Sequence, residues 1–267
     1  MKARLQQGYH TLAYPAVAPS LPDRLRGLPV LAGEPCPADC KRCVEVCPSA
    51  ALSQEQGRLV CDLGRCIFCG ACARVCPAGR IAFSNDHRLA TRSLPDLHFA
   101  GGPHKLAAAL ESRLLSLFGR SLKLRQVSAG GCNACEADVN VLTTLAFDLS
   151  RFGIKFVASP RHADGLLITG PVSHNMRLAL LKTYAAVPPP KLVIAVGACA
   201  ISGGLYREHA ETCQGAASLV PVDLFIPGCP PHPLTILDGL LRLLDRLPQR
   251  VAAARAAPCV PPGPGPA

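Results

Sequence analysis

The stretch 122–136, LKLRQVSAGGCNACE, decides the fold. Leu122–Ser128 is a run suited to a strand, and Ala129, Gly130 and Gly131 make a small-residue turn. Cys132 and Cys135 then open what reads as a helix over 135–151. The pattern repeats toward the C-terminus. Further strands are expected over 154–159, 165–169, 191–196 and 224–226, with helices over 175–186 and 234–247. Apolar strand runs alternating with helices predict an α/β domain whose parallel sheet is covered on both faces.

Two more cysteines repeat the position of Cys132. Cys199 in GAC and Cys229 in GCP each sit just after an expected strand. In an open parallel sheet, ligands bind outside the carboxyl ends of the strands, where the loops converge. Cys132, Cys135, Cys199 and Cys229 would thus place four thiols at one edge, with loop glycines letting the backbone approach them. Read from spacing alone, buried structural cysteines after strands account for the pattern as well.

Upstream lies a duplication over 36–83. One half reads Cys36-x3-Cys40-x2-Cys43-x3-Cys47-Pro48, the other Cys66-x2-Cys69-x2-Cys72-x3-Cys76-Pro77. Three thiolates packed two residues apart and closed by Cys-Pro suit a 4Fe–4S cubane better than structural zinc, which usually takes two separated CxxC pairs. In the two-cluster pattern the fourth cysteine of each run serves the other cluster. That assigns Cys36, Cys40, Cys43 and Cys76 to one cluster, and Cys66, Cys69, Cys72 and Cys47 to the second. The x3 spacing after Cys36 departs from the pattern. Gly70 lets the backbone come close where a side chain would clash. Leu52 and the 81–83 segment are expected in short strands. Cys61 has no place in this scheme and reads as a small buried hydrophobe; Cys213 and Cys259 fall outside every group.

Residues 1–35 are Pro-rich and read as an extended arm. Residues 91–120 form a linker whose helix is expected over 105–118, ending at Gly119. The tail, 248–267, ends in VPPGPGPA and reads as disordered or lying across a partner. The whole chain has 267 residues, 49% hydrophobic and 17% charged, with a mean hydropathy of +0.25. Its apolar runs are too short to span a bilayer, so surface covered by partner subunits is the expected use of the excess. The formal charge of +10 is spread along the chain, with few aromatics, which argues against nucleic acid. No export signal is visible at the N-terminus, and fifteen cysteines without export point to thiolates held by metal rather than to disulfides. No GxGxxG follows a strand, so no flavin or nicotinamide site is expected.

The pieces GGCNACEADVNVL (130–142), RFGIKFVASPRHADGLLITGPV (151–172), VIAVGACAISGG (193–204) and VPVDLFIPGCPP (220–231) closely resemble the small electron-transfer subunit shared by complex I and the energy-converting nickel–iron hydrogenases. The resemblance implies a flavodoxin-like fold over 121–247 holding one 4Fe–4S cluster on Cys132, Cys135, Cys199 and Cys229. Residues 36–90 resemble the two-cluster, bacterial-type ferredoxin subunits of the same complexes, a small α+β fold. LRGLP at 25–29 is similar to the arm those subunits carry.

Complex I proper has adjacent cysteines at the first ligand position, whereas Cys132-Asn133-Ala134-Cys135 looks like the hydrogenase branch. The resemblance also puts a proton-linked acid at Glu136, and the charged residues Arg161, His162 and Asp164 in a loop near the cluster. A first-turn Glu that complements the helix dipole accounts for Glu136 equally. His174 and His232 read as packing or hydrogen-bonding residues. Taken together, the expectation is an oxidoreductase subunit with three 4Fe–4S clusters and no complete active site of its own. Its expected partners are a large catalytic subunit of hydrogenase or complex I type, membrane-embedded antiporter-like subunits and an electron donor protein, on the cytoplasmic face of the inner membrane. A nickel-free complex I-like enzyme and a zinc-bound structural protein are the alternatives.

Overall fold

The structure is a computed structural model that describes residues 6, 8, 10–31, 36 and 40–247. The expected tail 248–267, with Cys259, lies outside the described residues.

The N-terminal half builds two small antiparallel sheets around the cysteine runs. Strand β1 (Pro29–Leu31) precedes helix α1 (Arg42–Glu45), and β2 (Leu52–Glu55) turns back into β3 (Arg58–Asp62). Both turn residues, Gln56 and Gly57, have positive φ, as a two-residue hairpin with right-handed strand twist demands. Helix α2 (Ala71–Val75) and strand β4 (Ile81–Phe83) follow, then β5 (His98–Phe99). β1 pairs with β4, while β3 pairs with both β2 and β5.

After helix α3 (Ser112–Phe118) the chain enters the α/β domain through β6 (Leu122–Ser128). It continues through helix α4 (Ala134–Val141), β7 (Ile154–Phe156), β8 (Gly165–Thr169), helix α5 (His174–Ala186), β9 (Leu192–Val196), helix α6 (Ala198–Ser202), β10 (Leu224–Ile226) and helix α7 (Pro233–Leu243). All strand pairs are parallel, in the order β10-β9-β8-β6-β7. This is the flavodoxin-like order, whose reversal point lies between the first and third strands, here β6 and β8. The expected α/β class, with a small α+β unit in front, is what the chain adopts.

Side chains alternate across the sheet with period two. Leu122, Leu124, Leu167, Ile194 and Val196 face one side, where α7 covers them. Val127, Leu166, Ile168, Val193 and Ala195 face the other, in a core continuous with Leu52, Leu63, Phe68 and Ile81 of the N-terminal half. The two halves are therefore packed through one shared core.

Several expected elements differ. The helix expected over 105–118 begins only at Ser112, because the N–H groups of Ala107 and Leu110 are taken by the carbonyls of Ala90 and Leu243. The helix over 135–151 ends at Val141: Thr143 and Thr144 turn their hydroxyls onto the carbonyls of Asn140 and Val141, and Asp148 sits at positive φ. The strand over 154–159 stops at Phe156. Residues 1–35 are not simply an arm, since β1 closes the first sheet and the buried Tyr14 hydroxyl donates to Asp238 of α7 at 2.7 Å.

Candidate metal centres

Helix α1 carries Cys43 into the first group. Burial pushes its thiol up, and the nearby Cys36 and Cys76 add to the rise. Cys76, from the end of the second run, thus lies beside the first run. Its sulfur accepts the Arg80 N–H at 3.3 Å. Cys40 enters three residues before Cys43, with its carbonyl held by Gln54 at 2.9 Å.

The second group shares an apolar cavity whose walls include Cys47, Cys66, Cys69 and Cys72. Burial raises the Cys72 thiol to about 12, with Cys66, Cys47 and Cys69 contributing. Cys47, from the end of the first run, is therefore brought to the second run, so each fourth cysteine faces the other run. Backbone donors point at the sulfurs: Ala51 N–H to Cys47 and Phe68 N–H to Cys66, both at 3.3 Å. Gly70, at φ +73°, caps α2; a Cβ there would stand 2.9 Å from Nε of Arg26, whose guanidinium also donates to the Phe68 carbonyl.

The third group collects at the carboxyl edge of the large sheet. Burial drives the Cys135 thiol above its ordinary range, and Cys199, Glu136, Cys229 and Cys132 all push it further. Cys199 rises to about 11 for the same first cause, with Cys229 and Cys132 next. Glycines make the room. A Cβ on Gly197 would lie 2.6 Å from the Cys135 sulfur, and one on Gly204 would lie 2.9 Å from that of Cys199.

Crowded thiols that raise one another's pKa are poor neighbours as thiolates unless a cationic core binds them, since metal binding deprotonates its thiols outright. The three groups therefore suit a metal core held by sulfur ligands. Among the described residues, no three His, Cys, Asp or Glu side chains close on a single metal ion.

Glu136 is buried beside Cys135, and its Oε1 accepts from the hydroxyls of Ser128 and Thr169, each at 2.6 Å. Burial raises its pKa, but the two hydroxyl donors outweigh that and hold the carboxyl below its usual value. His232 caps α7 by accepting the Leu234 N–H at 3.2 Å. His174 lies 3.9 Å from the Cys213 sulfur. Of the charged residues in the loop 159–164, Asp164 binds the Lys123 N–H at 2.7 Å at the amino edge of β6 and β8, so this one anchors the opposite end of the sheet from the cysteines.

Cys61 is buried, as its reading as a small hydrophobe expects, but two placements have no counterpart in the sequence reading. Cys61 lines the same cavity as the second cysteine group. A second cavity of about 170 Å³, beside Cys229, is lined by His87, His232, Asp138 and Arg26. No local motif marks either one, because strands and loops far apart in sequence assemble them.

A flavodoxin-like domain with four cysteines at its carboxyl edge, joined to a duplicated cysteine-run unit, defines an iron–sulfur protein of the complex I type. Comparison with known proteins is specific. Residues 132–243 match the family described as NADH ubiquinone oxidoreductase, 20 Kd subunit, and residues 35–86 match the 4Fe-4S dicluster domain. The chain belongs to the former family and carries the latter unit in front of it.

The chain is 41% identical over 145 residues to the probable membrane-bound hydrogenase subunit mbhJ of Pyrococcus furiosus, covering 53% of this chain and 87% of that one. It is 42% identical over 146 residues to formate hydrogenlyase subunit 7 of Escherichia coli, covering 55% of this chain and 57% of that protein. It is also 43% identical over 115 residues to an NADH-quinone oxidoreductase subunit from Desulfovibrio desulfuricans, covering 43% of this chain and 62% of the relative. The match thus spans little more than half the length of two of these relatives.

Proposed function

We propose that this chain is an electron relay carrying three 4Fe–4S clusters within a hydrogenase-type complex related to complex I. Cys36, Cys40, Cys43 and Cys76 hold the first cluster, Cys47, Cys66, Cys69 and Cys72 the second, and Cys132, Cys135, Cys199 and Cys229 the third. Bound there, each cluster supplies a one-electron site. The chain's own residues ligate, donate N–H groups to sulfur and exclude water with apolar walls.

The observation that carries the reading is the join between the second and third groups. Ser202 of α6, three residues past Cys199, donates to the Gly64 carbonyl at 2.9 Å, two residues before Cys66. Cys229 in turn feels Cys66 and Cys69. Electrons need only close spacing, and this contact supports it across the join of the two halves.

The terminal reaction we assign to a large partner protein. The x2 spacing of Cys132 and Cys135 favours a hydrogenase-type partner. The likeness to the Desulfovibrio NADH-quinone oxidoreductase subunit supports a second reading, the same relay in a nickel-free complex. In either case it sits with membrane-embedded antiporter-like subunits and a donor protein on the cytoplasmic face. Among the described residues no helix is long and apolar enough to cross a membrane.

Iron, sulfide and zinc analysis of the purified chain tests the reading. Three cubanes mean about twelve iron atoms, and Cys229→Ser removes about four while sparing the two clusters of the N-terminal half. Zinc in place of iron, or unchanged iron in Cys229→Ser, would overturn it.

A further inference from the structure

Arg26 reaches from the N-terminal arm to the second cysteine group, and the chain after it is pinned. Gly27 N–H donates to the Ser84 carbonyl at 2.7 Å and Leu28 N–H to the Asp86 carbonyl at 2.9 Å. A Cβ on Gly27 would run into the Asp86 backbone, so only glycine lets the arm lie this close. From that anchor the guanidinium lies over Gly70, next to Cys69, and its Nη1 donates to the Phe68 carbonyl at 3.3 Å. Phe68 stands at φ +54°, which a bulky residue keeps only where its surroundings impose it. Its side chain is buried in the wall of the second group's cavity, and its N–H points at the Cys66 sulfur at 3.3 Å. Arg26 and Cys66 thus take both backbone groups of one strained residue.

We propose that Arg26 is a positioning residue of the second cluster. It holds the Phe68 N–H against the Cys66 sulfur and brings a fixed positive charge beside the cluster on Cys47, Cys66, Cys69 and Cys72, which makes that cluster easier to reduce. The inference deepens the iron–sulfur reading above and rests on it. Reduction adds one negative charge to a cluster, so a nearby cation stabilises the reduced form more than the oxidised one. A guanidinium stays charged at every working pH, so the effect needs no titration. Arg26 is exposed, and salt therefore screens part of its field.

The same side chain also faces the third group. Arg26 and Phe68 line the cavity of about 170 Å³ whose walls include Gly228 and Pro230, the two neighbours of Cys229. The third cluster feels the charge across that space, more weakly than the second, whose ligand loop the guanidinium touches. Asp138 lines the cavity as well, and its carboxylate works against Arg26 on that side. The order of influence is second cluster, third, then first.

Redox titration of the full chain with its clusters, followed by electron paramagnetic resonance, tests this with Arg26→Gln and Arg26→Lys. The third cluster's signal is the one lost in Cys229→Ser. In Arg26→Gln one of the other two signals moves to lower potential, and at the wild-type midpoint its reduced fraction falls well below one half. The third cluster shifts less and the remaining one least, and added salt narrows the gap to wild type. Arg26→Lys keeps the charge and restores at least half of the shift. Four outcomes would sink the proposal by itself: no shift in Arg26→Gln, an equal shift in all three clusters, no rescue by Arg26→Lys, or loss of one cluster's iron in both variants. A wild-type chain without cluster signals would sink the iron–sulfur reading along with it.

Discussion

Gly197 holds its place in the third cysteine group by having no side chain. It sits at φ +91° with the Cys135 sulfur where a Cβ would go. Gly197→Ala is expected to cost about 1–2 kcal/mol in backbone strain and, more tellingly, to expel the third cluster. Iron should fall by about four atoms per chain with the other two clusters intact. A Gly197→Ala chain with full iron would show that the loop has slack. The three cysteine groups are legible in sequence, because the ligands proposed here recur at short fixed spacings or after strands. What surrounds them is not. Cys61 lines the cavity of the second group only because the fold brings β3 against it, and Arg26 reaches the Phe68 carbonyl across 42 positions of sequence.

Among the elements, strands read better than helices. β6, β8 and β10 have the expected limits. β8 and β10 are continuous apolar runs buried throughout, and β6 alternates Leu122, Leu124 and Val127 with polar residues up to the small-residue turn at Ala129. The expected helices run too long where tertiary bonds compete for the backbone, as at Ala107 and Leu110. The β2–β3 hairpin is absent from the expected elements, although Gln56-Gly57 is a fair two-residue turn signal. α7 shows what periodicity cannot reveal. Asp238 lies inside it at 0% exposure, satisfied by the Tyr14 hydroxyl and by Arg242 at 2.6 Å. Tyr14→Phe leaves that carboxylate one donor short and should cost about 1–3 kcal/mol. The loss would be read as a lower denaturation midpoint of the purified chain. An unchanged midpoint would mean water replaces the hydroxyl.

For the whole molecule, three histidines set an acid limit. His87, His104 and His232 are each pulled below the ordinary imidazole value, first of all by burial. The unfolded chain takes up protons at these sites near pH 6.5, before the folded chain does. Folded stability is therefore fully present above that pH and declines as pH falls toward the depressed values. Melting temperature measured from pH 7.5 to 5.5 should drop, and His87→Gln should flatten the slope. A melting temperature that is constant or rises on acidification would contradict this assignment.

The shared core and the Ser202–Gly64 contact have a kinetic consequence. When a two-cluster protein and its acceptor are separate molecules, each transfer waits for an encounter and its rate follows concentration. In the proposed relay, donor and acceptor sites are parts of one packed body, so their effective concentration is fixed by the fold. Diluting the protein should leave the step from the second cluster to the third at the same first-order rate. Only the entry and exit of electrons at the ends of the relay should slow.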